Sequence, residues 1–197
     1  MKKYLALIFM AFTAFACQQK EDSKPQYQFP SGLPAGPVQT QPGQPNPMQS
    51  QQMQAQSFQS QEEEKLLREA MGKDPKNLNA LIKFGNLTMD SGRFDEAIDA
   101  YVKALVIDPK NVDVRVDLGT CYKNAGKPDL AVKEYRKALE LDPRHPNAHR
   151  NLAVVLENDL RDRAQAIKEF EAYLRVTPNA ADRDSVQREI DKLKASK

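Results

Sequence analysis

Four side chains of this sequence carry thiol or imidazole chemistry: Cys17, Cys121, His145 and His149, the chain's only cysteines and histidines. A metal centre needs three or four ligands of such types. His145 and His149 lie four apart, but Pro146 stands between them and no third ligand is spaced to join them. The chain has no paired-cysteine zinc or haem pattern, no glycine-rich phosphate loop and no nucleophile elbow. Glu62, Glu63 and Glu64 read as the charged start of a helix, favourable beside the positive end of its dipole. The residues thus predict a protein that is not an enzyme, with no catalytic residue, no metal and no cofactor. Cys121 falls inside a helical pattern and reads as a small buried hydrophobe. Cys17 follows directly on the apolar run from Leu5 to Ala16, so its thiol is the group placed for covalent chemistry, and no Cys17–Cys121 disulfide is expected.

The elements that carry these residues are punctuated by prolines. Pro75, Pro109, Pro143 and Pro178 recur at intervals of 34, 34 and 35 residues, and each closes a helical pattern that restarts after it. A helical period of this length marks stacked helix pairs, in which no unit buries its apolar face alone. Three repeats follow, at residues 78–111, 112–145 and 146–179. Gly85, Gly119 and Ala153 share position 8 of the repeat. Ala97, Ala131 and Ala166 share position 20, the last after one inserted residue. Tyr101, Tyr135 and Phe170 share position 24, and Ala104, Ala138 and Tyr173 share position 27. Small residues let two helices approach, and the aromatic fills the seam. Gly92 and Gly126 mark the turn within each pair. His145 falls at a helix cap and His149 at position 4, a packing place between helices. Residues 61–77 read as an N-terminal helix, half of a degenerate repeat. Residues 180–197 form a C-terminal cap with Val186, Ile190 and Leu193 on one stripe.

This pattern resembles the tetratricopeptide repeat (TPR) family across roughly residues 62–197. The resemblance implies an all-α helix-turn-helix solenoid of about three repeats plus flanking helices, after a disordered N-terminal tether. It also implies a concave groove lined by the first helix of each pair, which takes a protein or an extended peptide. In this sequence the groove positions fall on Asn79, Ile82 and Asn86 in repeat 1. Repeat 2 supplies Asp113, Val116, Asp117, Thr120 and Lys123, and repeat 3 supplies Asn147, Arg150, Asn151 and Val154. Asparagines there suit an extended backbone, with Ile82, Val116 and Val154 as an apolar strip. Some relatives clamp a C-terminal carboxylate through lysine, asparagine and arginine at set positions. Here only Asn86 matches; Ile82, Asp117, Asn147 and Asn151 depart, and Asp117 would repel a carboxylate.

Residues 1–16 have a short basic start, Lys2 and Lys3, and an apolar run too short for a bilayer span, which is the shape of a secretory signal. With Ala14-Phe15-Ala16 before it, Cys17 looks like the acceptor of a bacterial lipobox; ordinary cleavage at the same A-x-A site, with release into the periplasm, is the alternative. Two or more acyl chains on Cys17 would anchor the chain stably in a membrane. Gln18 in place of an inner-membrane-retaining aspartate points, by that resemblance, to the outer membrane facing the periplasm. Residues 17–60 are rich in Gln, Pro and Ser and read as a disordered linker. Such a linker serves as a spacer or docks through Tyr27, Phe29 or its Pro-Gln run; its Gln-rich end is also compatible with a backward extension of the first helix. The net charge of +2 falls to zero once Lys2 and Lys3 are removed, which leaves no basic excess for nucleic acid. The sequence therefore predicts a membrane-anchored periplasmic interaction scaffold, with a self-associating or cell-wall-tethering organiser as the alternative and the oligomeric state open.

Overall fold

The computed structural model describes residues 47–195. Among them lie eight α-helices and no strand: α1 (Pro47–Lys73), α2 (Leu78–Asp90), α3 (Phe94–Ile107), α4 (Val112–Asn124), α5 (Pro128–Leu141), α6 (Pro146–Asn158), α7 (Arg163–Val176) and α8 (Arg183–Ala195). Each helix packs on the one before it, with α2 on α3, α4 on α5 and α6 on α7 as the tightest pairs. The first helices α4 and α6 of successive pairs also touch. The described residues form an all-α solenoid.

The proline turns work by local hydrogen bonding. Asp74, Asp108 and Asp142 precede the prolines, and their carboxylates accept from the backbone N–H of Lys76, Lys110 and Arg144 at 3.0, 3.2 and 3.0 Å. Three residues after each aspartate stands an N-cap: Asn77, Asn111 and His145, whose side chains accept from the amides of Ala80, Val114 and Ala148. Each cap satisfies one orphan N–H of the helix that follows and is worth about 1 kcal/mol. Within the pairs, Gly92 and Gly126 adopt φ of 72° and 70°, left-handed backbone that glycine enters freely. The third pair is joined by a connection one residue longer, in which Arg161 takes the left-handed conformation at φ 58°.

Close helix contact explains position 8. A Cβ built on Gly85 would lie 2.5 Å from Cε1 of Tyr101, and one on Gly119 would lie 2.6 Å from Cε1 of Tyr135. Both rings are fully buried, so each removes on the order of 150–250 Å² from water. The core runs through the stack in adjoining clusters around Leu67 and Phe84, Tyr101 and Leu118, and Tyr135, Leu152 and Phe170. Val186, Ile190 and Leu193 of α8 are buried and close the last cluster.

Two boundaries differ from expectation. α1 begins at Pro47, so residues 47–60 are helical where the linker was expected to continue to residue 60. Gln, Met and Ala are good helix formers, and proline at the first helical position costs nothing because its missing N–H would be unpaired there. The closing helix begins at Arg183; Ala180 precedes it and packs, partly buried, against the last cluster. The signal segment, Cys17 and linker residues 17–46 lie outside the described residues.

Candidate partner-binding groove

The inner layer of the solenoid is built from α2, α4 and α6. Position 9 on these helices holds Asn86, Thr120 and Val154, and each meets the aromatic at position 24 of its own pair. The Tyr101 hydroxyl donates to Asn86 Oδ1 at 2.7 Å. Thr120 Oγ1 donates to Val116 O at 3.1 Å, so the Tyr135 hydroxyl, also 3.1 Å away, donates to Thr120. In the third pair Phe170 lacks a hydroxyl, and Val154 offers none. Position 9 is therefore matched to position 24, polar against tyrosine and apolar against phenylalanine. The Asn86 amide N–H₂ makes no hydrogen bond among the described residues.

Asn151 Nδ2 donates to Thr120 Oγ1 at 3.4 Å, joining α6 to α4 across the inner face. Asp117, one turn before Cys121 on α4, is half-buried and has no hydrogen bond or ion pair among the described residues. Burial pushes its carboxyl up to about 6, with Asp113 and Asp90 adding repulsion and His145 opposing them. Its neighbours at the centre of the groove are thus mainly carboxylates. Asp113 itself lies 3.0 Å from His145 Nε2.

The C-terminal end of the groove is fastened by Asp182, from the turn before α8. Its carboxylate accepts from Arg150 Nε at 3.0 Å and from the Tyr173 hydroxyl at 2.6 Å. Those bonds hold the Asp182 carboxyl below its ordinary value, with Tyr173 the larger cause. A shallow pocket of about 310 Å³ lies beside this link, floored by Val154, Phe170 and Val186. Glu157 and Glu189 face each other on its rim; burial first and Glu189 second raise the Glu157 carboxyl.

The expected groove residues divide accordingly. Asn79, Asn86, Asp113, Asn147 and Arg150 are exposed, and Asp117, Thr120, Lys123 and Asn151 are half-buried. Ile82 and Val154 are partly buried against core clusters. Val116 is corrected: it is 4% exposed and belongs to the core cluster that contains Ala148 and Leu152 of α6, so the apolar strip is broken at its middle. Asp182 was missed. Its signal was Tyr173, a large polar-tipped residue at a position that is alanine in the other repeats. Cys121 is buried, and burial pushes its thiol up to about 12, which leaves it an inert core residue. Among the described residues no group of three His, Cys, Asp or Glu could hold a metal ion, and no helix is long and apolar enough to cross a membrane.

Paired antiparallel helices stacked at a 34-residue period, with a small residue against a buried ring in each pair, define a repeat solenoid of the kind built for recognition. A family model described as TPR repeat matches residues 85–126 and 122–159, so that stretch of the chain carries tetratricopeptide-type repeats. Similar solved structures agree. A crystal structure of MamA is 20% identical over 66% of this chain and 84% of that one, with a TM-score of 0.58. The first TPR of Spaghetti (RPAP3), bound to the HSP90 peptide SRMEEVD, is 26% identical over 62% of this chain and 97% of that one, TM-score 0.57. The Yersinia enterocolitica type III secretion translocator chaperone SycD is 19% identical over 61% and 86%, TM-score 0.57. No curated protein sequence matches the chain.

Proposed function

We propose that this chain is a membrane-anchored scaffold of the bacterial periplasm that holds a protein partner, as an extended segment, along α2, α4 and α6. The observation that carries it is the inner face itself. Asn86 keeps a free amide end, and Asp117 stays half-buried without a partner; neither arrangement is needed to pack the helices. Fold neighbours support the reading, since one holds a peptide and another is named a chaperone. The groove chemistry differs from a site for an acidic tail: carboxylates Asp90, Asp113 and Asp117 act on one another, which favours a segment bearing lysine or arginine. The anchor in this proposal is an acylated Cys17, and Gln18 behind it suits the outer membrane. Confinement to a surface raises the local concentration of the groove near membrane partners, so weak contacts suffice.

The test is photo-crosslinking in the native cell from probes at Asn86 and Asn147, with a control probe at the exposed Val106 on α3. One dominant protein captured from the groove probes alone supports the proposal. Self-products supply the organiser reading instead, and equal products from the control defeat the groove. Cys17→Ser tests the anchor separately: release from membranes is expected, and retention through a carbonate wash overturns it.

A further inference from the structure

Repeats 2 and 3 anchor their first helices through the same positions with different chemistry. On α4 the N-cap is Asn111, and Arg115 follows four residues later. Arg115 Nη1 donates to Glu134 Oε2 of α5 at 2.8 Å, and Nη2 donates to the Pro109 carbonyl at 2.7 Å. On α6 the cap is His145 and the residue four later is His149, so both histidines of the chain sit on these two anchors. His149 Nδ1 lies 2.7 Å from Glu169 Oε2 of α7, and Nε2 lies 3.1 Å from the Pro143 carbonyl. Glu169 and Pro143 are the repeat-3 counterparts of Glu134 and Pro109. The arginine never loses its proton; the imidazole does.

We propose that the seat of α6 in the solenoid is set by protonation, through opposite demands of His145 and His149. Both partners of His149 are acceptors, so the ring satisfies them together only when both nitrogens carry hydrogen. His145 needs the reverse. Its Nδ1 accepts the Ala148 amide hydrogen at 3.2 Å, so that nitrogen is bare, and Nε2–H donates to Asp113 Oδ1 at 3.0 Å. The two side chains are only 13% and 12% exposed, so neither can swap these partners for water without moving.

The charged groups around the rings are few. α4 presents Asp113 and Asp117 to His145, α7 presents Glu169 to His149, and α5 brings no hydrogen-bond or ion-pair partner to either ring. On α6 itself Arg150 adjoins His149, with its own charge held by Asp182. Acidification therefore tightens the grip of α6 on α7 and loosens its first turn; alkalinisation does the opposite. Because Asn151 of α6 meets Thr120 of α4, the seat of α6 also sets the joint between the second and third repeats on the inner face. This inference does not depend on the proposed function.

The full chain carrying His149→Arg or His145→Asn, the residues that α4 uses, tests it without risking an unfolded product. The readouts are melting temperature and amide exchange between pH 5.5 and 7.5. In the wild type, protection of the Ala148 amide falls several-fold on acidification; in His145→Asn it stays constant. His149→Arg removes the acid-side gain, moving the melting-temperature difference between the two pH values by about 2–4 °C toward acid lability. His145→Asn moves it the other way. Unchanged differences in both variants, or equal Ala148 protection at both pH values in the wild type, overturn the proposal.

Discussion

Gly119→Ala tests how tightly the helix pairs are closed. The added Cβ would lie 2.6, 2.9 and 3.0 Å from Cε1, Cδ1 and Cζ of Tyr135. The ring is fully buried and its hydroxyl is tied to Thr120, so it cannot swing away without giving up that bond. Overpacking of this kind costs about 2–3 kcal/mol. The alanine returns about 1 kcal/mol of helix propensity. The expected net loss is therefore about 1–2 kcal/mol, a fall in melting temperature of about 3–6 °C for a domain of this size. Circular dichroism at rising temperature or urea reads it directly. Two further variants sharpen the test. Tyr135→Phe alone forfeits its hydroxyl bond, about 1 kcal/mol. Combined with Gly119→Ala it frees the ring, as in the Ala153–Phe170 pair of repeat 3, so the double variant costs less than the two singles added. Gly72→Ala, where nothing lies within 4 Å of the new methyl, should be stabilising. If Gly119→Ala stabilises as Gly72→Ala does, the close-contact account of position 8 is refuted.

Asp117→Asn should raise stability by about 1 kcal/mol at pH 7 and change little at pH 4. The folded-state value of about 6 stands above the ordinary 3.8, so the protonated acid is favoured by folding and stability is lost as pH rises through about 6. Equal effects at both pH values would contradict this. Arg161→Gly should stabilise by about 0.5–1 kcal/mol, because it relieves left-handed backbone at a non-glycine residue; a loss in urea midpoint would show that the arginine side chain matters more. Glu134→Ala should cost about 2–4 kcal/mol, since Arg115 and Glu134 are 12% and 10% exposed and Arg115 Nε already lacks a partner. A cost below about 1 kcal/mol would mean that the pair is solvated in practice.

The helix pairs were legible because their signals are local. A glycine eight places into a repeat and an aromatic at twenty-four are visible in one chain, and they mark the contact that closes each pair. The groove was legible only as a set of positions. Counting along α4 puts Val116 on the inner face, but α6 packs over it, and that neighbour is not part of the count. Asn86 and Thr120 were read as open to a partner, although tyrosine hydroxyls engage one atom of each. The early start of α1 was legible only as an alternative to a linker running to residue 60, because glutamines carry no apolar stripe. Asp182 escaped because its partners, Arg150 and Tyr173, come from two different helices.

Asp182 bears on how the array comes apart. In a one-dimensional stack the terminal units fray first, because each is held from one side only. Here one carboxylate stitches the turn before α8 to both α6 and α7. The last helix cannot peel off without breaking bonds to each member of the pair beneath it. The C-terminal three helices should therefore open as a single block, with amide exchange in α7 and α8 following one opening event. The N-terminal end is fastened in the same way, since α1 is tied past α2 by Arg68 to Glu96 of α3 at 2.8 Å and by Glu64 to Arg93 before α3 at 2.7 Å, so there too a single helix frays only by breaking ion pairs to the next.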